Sequence, residues 1–169
     1  MPDKRVYLAL GSNLGDREQN LENAIAALER EHILIVARSS LYETEPQDVR
    51  DQPWFLNMVV ECDTRCFPLQ LLATVLRIER ELGRTRPNSG RGGPRIIDID
   101  LLLYGETVMR TPQLTLPHPR MLERRFVLEP LLEISPKLRH PETHELISRV
   151  LEKVRTQRLK RLDRIRRST

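Results

Sequence analysis

Residues 96–104 read IIDIDLLLY, an apolar run interrupted by Asp98 and Asp100. Such a run belongs inside a sheet, and along a strand successive side chains point to opposite faces. Ile97, Ile99, Leu101 and Leu103 therefore share one face, and Asp98 and Asp100 share the other. Two neighbouring carboxylates repel. The chain must then place one face of this strand on a core and open the other onto something that compensates the charge.

The rest of the chain supplies the partners. Residues 5–12, RVYLALGS, have strand character and stop at a glycine turn in GSNLGD. In the segment after it, Leu21, Ala24, Ile25 and Leu28 recur at helical spacing, and Asp16 suits the first turn. Residues 33–44 read as one strand and 54–63 as another, with the polar, proline-bracketed EPQDVRDQP as the loop between them. Residues 68–83 open on Pro and close on Gly, as helices do, with Leu71, Val75, Ile78 and Leu82 as the apolar stripe. The order β-α-β-β-α-β predicts an α+β, ferredoxin-like sandwich, an antiparallel sheet with both helices on one face. Beyond the Asp strand, GETVMRTPQLTLPH reads as a short hairpin, RFVLEPLLEI as a helix, and 143–166 as a longer basic helix. One domain over 1–150 and a basic helical tail over 151–169 are expected.

Charge narrows the function classes. The net charge is +4, yet from Arg149 to Thr169 nine Lys or Arg face two acids, so the body of the chain is slightly acidic. It is not built as a nucleic-acid binder. No apolar run reaches membrane-spanning length, and MPDKRVYLALGSN lacks the pattern of a secretory leader. Cys62 and Cys66 are too few for a disulfide scaffold. A cytoplasmic monomer without membrane or nucleic-acid partners is expected.

The Asp pair can share a proton, pair with Arg95 three residues upstream, or hold a cation. The preceding ELGRTRPNSGRGGPR carries Arg84, Arg86, Arg91 and Arg95 among glycines. Arginines beside paired carboxylates suit a polyphosphate, whose oxygens are shared between Mg²⁺ and guanidinium groups. A solvated charged loop with an Arg-paired carboxylate stays open as the structural alternative. No G-x-x-x-x-G-K-[ST] motif occurs, which argues against a P-loop site. His140 and His144 in HPETH read as surface residues, whereas His118 in LPHPR is bracketed by prolines and could meet a phosphate. In QPWFLN, Phe55 and Asn57 share a strand face, which suits a flat heterocycle with polar edges as well as it suits a core Phe beside a turn-bonded Asn.

The blocks LALGSNLGD, SSLYETEP, QPWFLN, GRTR, GPRIIDIDLLLYG and LTLPHPRMLERRFVLEPL, in this order, closely resemble the 6-hydroxymethyl-7,8-dihydropterin pyrophosphokinases of folate biosynthesis. The resemblance implies a ferredoxin-like fold and transfer of the β,γ-pyrophosphoryl group of ATP to the pterin hydroxymethyl oxygen, leaving AMP. It implies that Asp98 and Asp100 hold two Mg²⁺ ions and that Arg84 and Arg95 are the catalytic loop arginines. Glu79, Leu101, His118 and Arg124 match ATP-side positions. Thr44, Phe55, Asn57 and Phe126 match the pterin pocket, Asn57 reading the edge and the two rings sandwiching the plane. The chain departs from the pattern at Gly92, where some members carry Trp. The alternative from another class is an RNA-binding ferredoxin-like module, helped by the basic tail. Such sheets present stacked aromatics, whereas this chain is only 4% aromatic and presents two aspartates instead.

Overall fold

The computed structural model describes residues 3–46, 51–83 and 94–162. The first two helices start where the sequence provides a cap. The Asp16 side chain accepts the Gln19 N–H at 3.1 Å and opens α1 (Arg17–Arg30). Pro68 opens α2 (Pro68–Glu81), where Gln70 reaches back to the Phe67 N–H at 2.9 Å. The anticipated faces are the buried ones: Leu21, Ala24, Ile25 and Leu28 in α1, and Leu71, Val75 and Ile78 in α2, with Leu82 packed just beyond it.

The described residues form a six-stranded antiparallel sheet. Its central strands are β1 (Lys4–Ser12) and β4 (Phe55–Thr64), paired from Lys4↔Thr64 to Ser12↔Leu56. On the far side of β1 lies the Asp strand, β5 (Asp98–Tyr104). On the far side of β4 lie β2 (Leu34–Arg38) and β3 (Leu41–Thr44), which pair with successive stretches of it. The single strand expected over 33–44 is thus two. Ser39 breaks it, its N–H donating to the Val59 carbonyl and its hydroxyl accepting the Val59 N–H, both at 2.9 Å. A side-chain oxygen stands in for a backbone partner there.

Helices cover both faces. Val6, Leu8 and Leu10 pack with α1 and α2, giving the ferredoxin-like α+β arrangement. Tyr7, Val59 and Leu103 pack on the other side with α3 (Arg125–Ile134) and α4 (Ile147–Leu151). The strict alternation read along the Asp strand holds only to Leu101. A β-bulge sets in where the register with β1 shifts between Tyr7 and Leu8, so Leu102 and Leu103 both join the α3 side and Tyr104 returns to the α1/α2 side.

Two further expectations are corrected. The basic tail does not continue as a helix: of the helix expected over 143–166, only α4 (Ile147–Leu151) is α-helical among the described residues. After a 3₁₀ turn, Glu152–Val154, the chain forms β8 (Leu159–Leu162) along the open edge of β3. That edge offers unpaired backbone groups, and pairing with them outweighs a local helical preference. His140 is not at the surface but buried, its Nδ1 accepting the Glu142 and Thr143 N–H groups at 3.2 Å. The expected hairpin is present as β6 (Met109–Arg110) and β7 (Thr115–Leu116). Cys62 and Cys66 are both free thiols, and burial pushes the Cys62 thiol up to about 12.

Candidate active site

Gly11 lies at the centre of the site. In the strand register it pairs with Asn57 of β4 on one side and Asp98 of β5 on the other. Directly paired residues point to the same face, so Asn57 and Asp98 flank Gly11, their Cα atoms roughly 10 Å apart at two strand spacings. One step along, Ala9 separates Val59 from Asp100. Gly11 was expected in a turn, but it belongs to the strand. A β-carbon on it would come within 2.6 Å of Asn57 Oδ1 and 3.6 Å of Phe55 Cδ1. The missing side chain is the space the Asn57 amide occupies. The turn itself falls at Gly15, with φ of 68°.

Asn57 is 8% exposed and donates through Nδ2 to the Thr44 hydroxyl at 2.6 Å. Thr44, at the end of β3, faces Phe55 across the ladder. The residues matched to the pterin pocket on β3 and β4 are therefore contiguous. Phe126 comes from the first turn of α3, which covers this same face of the sheet, and the Arg124 guanidinium lies 5.5 Å from its ring centroid.

Asn13 ties the two halves together, a role the sequence did not reveal. It is 1% exposed, and its Oδ1 accepts the Arg95 N–H at 2.7 Å while its own N–H donates to the Arg95 carbonyl at 3.0 Å. Its Nδ2 donates to Gln52 Oε1 and the Pro53 carbonyl at 2.9 and 3.1 Å. The end of the arginine loop and the approach to Phe55 thus share one buried amide. The hint in the sequence was an Asn directly after a strand, the type that bonds nearby backbone. Arg95 forms a 3.6 Å ion pair with Asp98. Arg84, with Arg86, Arg91 and Gly92, lies outside the described residues.

The other wall is a cleft of about 300 Å³ wrapped around the edge of β5, lined by Glu79, Asp98, Asp100, Leu101 and His118 together with hairpin residues such as Thr115. Three of the residues anticipated on the ATP side, Glu79, Leu101 and His118, thus meet around the pair Asp98 and Asp100. Glu79 is buried, and its carboxylate accepts the Ile99 N–H at 2.8 Å, holding the strand between the two aspartates. Arg124 is not among the cleft-lining residues and sits over Phe126 instead.

Burial, then the Arg124 and Arg120 guanidiniums, push the His118 imidazole down to about 4, against an opposing pull from Asp98. The ring is neutral at pH 7. Its Nδ1 accepts the Arg120 N–H at 3.1 Å, which assigns the proton to Nε2 and makes that N–H the available donor. An NMR titration of the ligand-free protein is expected to give His118 a midpoint near 4. A midpoint at the ordinary value, about 6.5, would contradict this environment. The unfolded chain takes up this proton near the ordinary value and the folded one only near 4, so His118 costs stability as the pH falls through that window.

The carboxylate pair fits a hard divalent cation. Both are oxygen donors, and Asp98 has a side-chain exposure of 33% on a cleft that admits phosphate oxygens and water. Among the described residues no group of three or more His, Cys, Asp or Glu could enclose a metal. An ion here would complete its shell from ligand and solvent. Among them, too, no helix is long and apolar enough to cross a membrane.

The chain is 51% identical over 130 residues to the Bacillus subtilis 2-amino-4-hydroxy-6-hydroxymethyldihydropteridine pyrophosphokinase, covering 76% of this chain and 77% of that protein. It is 43% identical to the folic acid synthesis protein fol1 of Schizosaccharomyces pombe, over 92% of this chain but only 21% of that longer protein. The crystal structure of wild-type Plasmodium falciparum HPPK-DHPS with pteroate superposes with a TM-score of 0.71 at 17% identity, over 89% of this chain and 42% of that one, a likeness of fold. Residues 7–136 match the family described as 7,8-dihydro-6-hydroxymethylpterin-pyrophosphokinase (HPPK), and the chain belongs to that family.

Proposed function

We propose that this chain transfers the β,γ-pyrophosphoryl group of ATP to the hydroxymethyl oxygen of 6-hydroxymethyl-7,8-dihydropterin, giving AMP and the pterin diphosphate, as a step of folate biosynthesis. The observation that carries the reading is the row Asn57–Gly11–Asp98, which sets an amide able to read a heterocycle edge beside a carboxylate able to serve a polyphosphate. Asn57, positioned by Thr44, meets the polar edge of the pterin, and Phe55 and Phe126 take its faces. The nucleotide occupies the cleft at Leu101 and Glu79. His118 donates its Nε2–H to a phosphate oxygen, and Arg95, with Arg84 from the loop and Arg124 beside Phe126, neutralises phosphate charge. Asp98 and Asp100 would hold two Mg²⁺ ions, which supply charge neutralisation on the phosphates and acidify the attacking hydroxyl. Transfer is direct, with no covalent enzyme intermediate, so the protein contributes alignment and electrostatics.

Product analysis tests it. With ATP, Mg²⁺ and the reduced pterin, AMP and pterin diphosphate are expected in equal amounts. Stoichiometric ADP would make the chain a simple kinase. Full turnover after exhaustive chelation would remove the metal assignment.

A further inference from the structure

The basic segment after Val154 carries no motif, yet its described part touches both walls of the pocket. Gln157 caps α3: its Oε1 accepts the Arg125 N–H at 2.9 Å and its Nε2 donates to the Glu123 carbonyl at 2.7 Å. Arg125 in turn donates to the carbonyls of Arg155 and Gln157 at 3.0 and 2.9 Å. The helix has use for this partner, because Arg124 at its N-cap makes no side-chain capping bond and the first N–H groups of a helix lack partners within it. Two residues after Gln157, β8 begins with Leu159 opposite Thr44 and Arg161 opposite Tyr42. Arg161 also pairs with Glu133 of α3 at 3.6 Å, and Glu133 accepts the Ser40 N–H and the Tyr42 hydroxyl.

We propose that residues 155–162 are a clamp that fixes α3 against β3, and that Gln157 is a positioning residue for the pterin. One hand of the clamp holds the helix turn that carries Phe126. The other holds the strand that ends at Thr44, the acceptor for the Asn57 amide. The separation of the two walls is then set by a segment that itself reaches neither ring nor amide. This rests on the pterin-pocket reading above.

The test uses the full-length chain and calorimetric titration with pterin at saturating non-hydrolysable ATP analogue and Mg²⁺, and with the analogue alone. Gln157→Ala is expected to raise the pterin Kd about tenfold, as losing a capped helix start and two bonds implies, with analogue affinity within about twofold. Combined with Phe126→Ala, its effect should be much smaller than in the parent, since Gln157 acts largely through that ring. If Phe126→Ala weakens pterin binding and Gln157→Ala does not, the clamp is overturned and the pocket stands. If Phe126→Ala itself has no effect, the pocket reading falls and the clamp with it. Equal losses of pterin and analogue, or effects that multiply independently, would mark Gln157 as a general stability residue and overturn its positioning role.

Discussion

Asp98→Asn and Asp100→Asn are each expected to lower turnover by roughly two to four orders of magnitude at saturating Mg²⁺ while leaving the fold intact. Asparagine keeps the shape and removes one charge from a pair that repels on a shared strand face. Asp98 has a competing structural partner in Arg95, at 3.6 Å. That contact is long, with the Asp98 side chain 33% exposed, and an ion pair of this kind contributes about 1 kcal/mol or less. Its loss in Asp98→Asn is small beside a turnover loss of several kcal/mol, and relief of the repulsion opposes it. Thermal melting beside turnover separates the two readings. A variant with a lowered melting temperature and near-normal turnover would identify the pair as structural, and the metal assignment would fall.

Gly11→Ala should reproduce much of the defect of Asn57→Ala from a residue with no side chain to bind anything. The added β-carbon would meet Asn57 Oδ1 at 2.6 Å, closer than such contacts occur, so the amide must swing away from Thr44 and from the substrate edge. Leaving polar edges unpaired costs about 1–3 kcal/mol, so each variant should weaken pterin binding by roughly tenfold to a hundredfold. ATP affinity should change little, because the cleft proposed for ATP lies on the other side of β1, around β5. Calorimetric titration of both ligands checks this. Unchanged pterin affinity in Gly11→Ala would show that Asn57 has room to move and that the row is not the recognition element.

Local pattern determined much of this protein. Helical spacing marked the buried faces of α1 and α2, Pro and Gly marked the ends of α2, and strand alternation put Asp98 and Asp100 together. Those properties depend on residues a few positions apart, which is why the sequence alone carries them. Resemblance to the family added residues such as Thr44 and Phe126, whose types alone suggest no site. Tertiary structure decided the rest. The Ser39 break depends on Val59, the bulge at Leu102 on its register with β1, and the role of Gly11 on which two strands flank it. The tail read as a basic helix, because nothing within it records that β3 has an open edge; 159–162 became a strand once that edge offered its backbone groups. Asn13, Gly11 and Gln157 share this logic. Each acts through partners tens of residues away, so its function exists only after the chain has folded.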